Sequence, residues 1–143
     1  MGLTYLPEQS IGAWHKHDTD GHFESVTSVT EGEDDVLYAI VRRHVNGRDL
    51  RYVERMKPRK FTSQKDYYFM DGGLTYRGNP ISTVSNLGLL EGKTVCVLAD
   101  GNVMPKAVVS NGTIHLPDGI TASVISVGLP IEASITTLPL AFQ

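Results

Sequence analysis

The sequence predicts an all-β protein: an antiparallel meander followed by a small β-barrel or sandwich. Three observations lead there. Short runs rich in β-branched residues recur along the chain, Gly- and Asp-containing turns separate them every ten residues or so, and helical periodicity is nearly absent. The best helical stretch, Ser82–Leu90, spaces Val84, Leu87 and Leu90 three apart, but Asn86 and Gly88 interrupt it, so one turn at most is expected.

The meander comes first. Phe23–Thr30 is β-branched, and Val36–Val41 is almost wholly apolar, as in a strand covered on both faces. Between them Glu31-Gly32-Glu33-Asp34-Asp35 reads as a hairpin tip. Asn46-Gly47 is a second hairpin signal, because a type I′ turn needs positive φ at both central residues. Leu50–Met56 then alternates, with Leu50, Tyr52, Glu54 and Met56 on one face and Arg51, Val53 and Arg55 on the other. The polar, Pro58-bearing stretch after Met56 is a connector. It divides the chain into a meander over residues 1–60 and a barrel-like domain over 61–143.

In the second half, Asp71-Gly72-Gly73 reads as a tight turn before Leu74-Thr75-Tyr76. Strands are expected at Lys93–Leu98, Lys106–Ser110, Thr113–Leu116, Ile120–Val127 and Ile131–Leu138. Glu91-Gly92, Asp100-Gly101, Asn111-Gly112 and Asp118-Gly119 punctuate them.

Composition narrows the functions. The 143 residues are 41% hydrophobic and 20% charged, enough for a packed core without disulfides or metals. Net charge is −3, and the densest basic stretch (Arg55, Lys57, Arg59, Lys60) is broken by Pro58, which argues against direct nucleic-acid recognition. The single cysteine, Cys96, lies in the apolar run Thr94–Leu98, where it reads as a small hydrophobe and points to an intracellular or virion-borne protein. No membrane span or signal peptide is expected. The apolar ending Leu138–Gln143 suggests a piece of a longer chain.

Each candidate chemistry meets an ordinary alternative. His15 and His17 would share a face on a strand, as metal-ligand pairs do, and His22 follows beyond an Asp-rich turn. A metal site needs a third ligand, and none is evident, so the segment reads as a polar strand end and a turn. Asp18-Thr19-Asp20-Gly21 resembles the start of a calcium loop, but the sixth and twelfth positions hold Phe23 and Val29 rather than Gly and Glu. No serine sits in a nucleophile-elbow context, and the glycines form no phosphate loop. Tyr67 and Tyr68, with Phe69, or Trp14, could stack on a ligand, but such residues more often supply core and interface area. Arg42, Arg43, Arg51 and Arg55 lie on neighbouring strands and are candidates for cross-strand or intersubunit ion pairs with Glu54 or the acidic hairpin tip. No catalytic residue and no cofactor are expected.

Several phrases together resemble one family. They are Ala13-Trp14-His15-Lys16-His17-Asp18-Thr19-Asp20-Gly21-His22-Phe23-Glu24-Ser25-Val26, Val41–Gly47, Arg51-Tyr52-Val53-Glu54-Arg55-Met56, Phe69–Tyr76, Leu87–Val95, Ala99-Asp100-Gly101, Val127-Gly128-Leu129-Pro130 and Thr136–Leu140. In order and spacing the chain resembles the structural tail proteins of short-tailed bacteriophages and prophages, of the tail tubular protein B or nozzle type. The resemblance implies a non-enzymatic module of the virion tail, made in the bacterial host cytoplasm. Its partners would be copies of itself and other tail proteins, with the genome passing through the assembled ring without sequence-specific binding. It also implies a small barrel in the second half. Members of that family are several times longer, and they commonly carry His ahead of the Leu-Glu-Gly step, where this chain has Leu89-Leu90. Two rival functions remain: a carbohydrate- or host-surface-binding module using Trp14, Tyr67 and Tyr68, and a metal-dependent enzyme using His15, His17 and His22.

Overall fold

Turn chemistry organises the fold. The structure, a computed structural model, describes residues 1–136. Its regular elements are antiparallel strands and three short 3-10 turns, so the fold is all-β. Two compact units divide between Met56 and Lys57.

The first unit opens with a hairpin that the sequence reading did not foresee, β1 (Gly2–Leu6) paired with β2 (Ile11–His15). A 3-10 turn at Pro7–Gln9 links them, and Ser10 leaves it with a left-handed φ of 55°. The meander follows as β3 (His22–Glu31), β4 (Asp34–Val45) and β5 (Arg48–Arg55), in the order β3-β4-β5. Asn46 and Gly47 take φ of 49° and 72°, as a type I′ turn requires.

Register assigns the faces. Val41 pairs with both Phe23 and Tyr52, and Ala39 with Val26 and Glu54, so these residues share one face. Along that face Ala39, Val41, Arg43 and Val45 are buried. Strand β4 is not covered along both faces as expected: Ile40 is exposed on the face opposite Ala39 and Val41, and Leu37 is exposed on their own face. Its apolar run thus includes exposed positions on each face, with Val36 buried beside them.

In the second unit β6 (Asp71–Ile81), β11 (Ala122–Leu129), β8 (Thr94–Ala99) and β9 (Asn102–Val108) form an open sheet in that order. A two-stranded pair, β7 (Thr83–Val84) with β10 (Ile114–His115), lies apart from it in hydrogen bonding. None of these sheets closes into a barrel among the described residues, so of the two expected arrangements, barrel or sandwich, the open sheets are compatible with the sandwich. The core gathers Val95, Val97 and Ala99 from β8 and Ile125, Val127 and Leu129 from β11. Against them pack Val84, Leu87, Leu90, Ile114 and Leu116. Burying each such side chain contributes about 1.5–3 kcal/mol before conformational entropy is subtracted. Cys96 alternates to the other, half-buried face of β8.

Several boundaries differ from expectation. Asp71-Gly72-Gly73 is no turn but the start of β6. A Cβ on Gly73 would lie 2.3 Å from the Val127 carbonyl oxygen, so glycine is needed for close approach at the irregular register between Val127 and Leu129. Strand β9 begins before Pro105 rather than after it, because β9 is an edge, where a missing N–H costs no ladder bond. Residues 131–136 form no strand, and residues 137–138 of that expected strand lie outside the described residues.

Candidate interaction surface

The four arginines of the meander occupy two different environments. Register places Arg42, Arg51 and Arg55 on one face and Arg43 on the other. Arg43 is 2% exposed. Its Nε and Nη2 donate to Glu54 Oε1 and Oε2 at 2.7 and 2.8 Å, and its Nη1 donates to the Asp20 carbonyl at 2.8 Å. A buried guanidinium satisfied in this way ties β4 to β5 and to the turn before β3. It is not available to a partner.

On the opposite face the guanidinium groups reach across the central strand to edge carboxylates. Arg51 Nε donates to Glu24 Oε2 at 2.7 Å, and Arg42 Nε lies 3.4 Å from Glu24 Oε1. Glu24 is the extra residue of a bulge between Phe23 and Ser25, which turns its side chain onto this face. Arg55 Nη2 donates to Glu31 Oε2 at 2.6 Å, and the Tyr38 hydroxyl donates to the same carboxylate. Asp49 accepts from His44 Nδ1 at 2.8 Å and from Arg42 Nη1 at 3.4 Å.

These contacts set the charge state of the face. The Arg51 hydrogen bond holds Glu24 below the usual carboxylate range, Arg55 followed by Tyr38 does so for Glu31, and His44 does so for Asp49. The face is thus a lattice of mutually neutralised charges. Between them stand exposed apolar side chains, with Val53 75% exposed. On the other face Val26 of β3 is 59% exposed.

The edges of this sheet differ. Strand β5 carries Arg48, Asp49, Arg51, Glu54 and Arg55, and charge protects an edge against pairing. Strand β3 is the other edge. All ten of its residues are exposed, and Ser25–Thr30 contains no charge, Pro or Gly. It offers an unprotected row of backbone donors and acceptors.

The aromatic candidates are separated. Trp14, on β2, is 72% exposed. Tyr67 and Phe69 join Phe61 in a three-ring cluster of edge contacts, with centroids 5.2–5.8 Å apart, and Phe69 is 63% exposed. Phe61, from the connector, was not singled out in the sequence because its partners lie six and eight residues away across a turn. Tyr68 alternates inward to half-burial, with Lys57 Nζ 5.6 Å above its ring.

Of the histidines, His15 and His17 come together, with Nδ1 of the first 2.9 Å from Nε2 of the second. His22 instead pairs with Arg42 in the β3–β4 ladder. Among the described residues no group of three or more His, Cys, Asp or Glu side chains is placed to hold a metal. Two open recesses complete the surface: a polar one lined by Asp20, His22, Arg42, His44 and Asp49, and an apolar one beside Leu74, Tyr76, Ile81, Val84 and Leu87.

Two carboxylates have roles that the sequence reading did not assign. Glu91 accepts the backbone N–H groups of Asn111 and Gly112 at 2.9 and 2.6 Å. Asp100 accepts those of Ser123 and Val124 at 3.1 and 3.0 Å. Glu91 clamps the Asn111-Gly112 turn, and Asp100 ties its own turn to β11.

No helix among the described residues is long and apolar enough to cross a membrane. No protein-family model matches the chain, and no curated protein matches it.

Proposed function

We propose that this chain is a structural assembly module of a bacteriophage tail, of the tube or nozzle type, which binds copies of itself and neighbouring tail proteins without catalysis. The observation that carries the reading is the open β3-β4-β5 sheet, whose β3 edge has an uncharged stretch, Ser25–Thr30, with no strand paired beyond it among the described residues, while apolar side chains stand exposed around it. Exposed strand edges and apolar patches of this kind are costly for a monomer and useful in an assembly. The sequence phrases that resemble tail proteins supply the biological setting. In that setting the module belongs to the virion, and the genome would pass through the assembled ring unread.

The test is solution mass by light scattering on the whole chain and on Val26→Lys, which places a charge on β3. Self-association of the native chain, lost in the variant, is the expected result. A native chain that stays monomeric at high micromolar concentration, or a gene lying in a metabolic operon rather than among portal and capsid genes, would overturn the reading.

A second reading, binding of a carbohydrate or host surface, is favoured by the exposure of Trp14 and Phe69. Glycan-array binding that disappears in Trp14→Ala or Phe69→Ala would establish it.

A further inference from the structure

The pair His15 and His17 is not used by the assembly reading, and its geometry has a chemistry of its own. His15 is the last residue of β2, and its ring lies over Gly2 of the neighbouring strand, with which it pairs. A Cβ on Gly2 would lie 2.3 Å from His15 Cε1, so the glycine is what leaves room for the imidazole. His17 follows two residues later, and the rings meet nearly perpendicular, at 84°, with centroids 4.9 Å apart. Lys16, between them, has its ammonium held by Asp18 at 2.9 Å, which offsets a cation that would repel a metal.

We propose that His15 Nδ1 and His17 Nε2 form a two-nitrogen chelate for a divalent ion with right-angle ligand preference, Cu(II) or Ni(II), whose other positions are filled by water. The two nitrogens are joined by a hydrogen bond at 2.9 Å, whose proton a bound metal would replace. Affinity for nitrogen ligands rises along the divalent first-row ions to Ni(II) and Cu(II). Both side chains are exposed, so rotation about each Cβ–Cγ bond can turn the two lone pairs from one another onto a shared point. Once one imidazole binds, the second is held at high effective concentration, which separates this pair from a lone surface histidine.

The test is calorimetric titration of the whole, tag-free chain with nickel chloride and with copper chloride. One equivalent of each ion should bind, with affinity falling roughly tenfold or more in His15→Ala and in His17→Ala. His22→Ala and His115→Ala should leave binding unchanged. Gly2→Val, which crowds the His15 ring while keeping both ligands, should also weaken it. Electron paramagnetic resonance of the copper form should show two coordinated nitrogens. Binding that survives in His17→Ala, depends on His22, or shows a single nitrogen would overturn the proposal.

Discussion

Arg43 and Tyr52 lie on the same face of the meander and carry opposite energetic signs. Arg43 is buried with its guanidinium hydrogen-bonded to both Glu54 oxygens and to the Asp20 carbonyl. Arg43→Met would leave the Glu54 carboxylate without its partner, and removing one member of such a pair costs about 3 kcal/mol. Adding Glu54→Leu should restore most of that loss, and urea unfolding of the two variants measures both effects. Tyr52 is the converse, since its hydroxyl is buried without a hydrogen-bond partner among the described residues. Tyr52→Phe removes an unsatisfied group, and a gain of about 1 kcal/mol is expected in the same unfolding experiment. The acidic residues add a pH dependence. Folding holds Glu24, Glu31, Asp49, Asp66 and Asp100 below the usual carboxylate range. Their contribution is thus complete above the unfolded-state values of about 4 and is lost as pH falls through the lower folded values. Thermal midpoints should decline below that range, and less steeply at high salt, because these pairs are exposed and screened.

At the scale of the element, the turns were readable and the edges were not. Asn46-Gly47 and Asp100-Gly101 each need left-handed backbone, and each is a two-residue link between paired strands. The residue type alone carries that information. Asp71-Gly72-Gly73 has the same composition but lies inside β6, because its glycines answer the close approach of β11 rather than a chain reversal. The β1–β2 hairpin escaped notice because every residue of β2 is exposed and no apolar alternation marks it. The clamp made by Glu91 is equally invisible, since its partners lie twenty and twenty-one residues downstream. Glu91→Ala should destabilise the protein by about 1–3 kcal/mol, because the two N–H groups lose a charged acceptor. Glu91→Gln should recover part of it, again by urea unfolding. A loss below a few tenths of a kcal/mol would mean that water replaces the carboxylate at no cost.

Across the whole molecule, the buried apolar residues are shared unequally between the two units. The clustered core, including Val95, Val97, Ile125 and Val127, belongs entirely to the unit that begins at Lys57. In the first unit the residues of β1, β2 and β3 are nearly all exposed. Hydrogen exchange should therefore be slowest at the β8 and β11 amides and fastest in the β1–β2 hairpin. Equal protection across the units would contradict that gradient. It also bears on the proposed role, because an under-buried unit with an open edge gains most from pairing with another chain.

The all-β class, the three-stranded meander and the two-residue turns were determined by the sequence by itself, because strand periodicity and positive-φ turns are local properties of a few adjacent residues. The tertiary structure decided what depends on residues far apart. It buried Arg43 while leaving Arg42 on the opposite face, and it left the second sheet open, which decides for the sandwich over the barrel of the two expected arrangements. It also brought His15 and His17 into contact and sent His22 to a different ladder. Such outcomes follow from strand register and bulges, where a shift of one residue exchanges the two faces, and no local pattern encodes them.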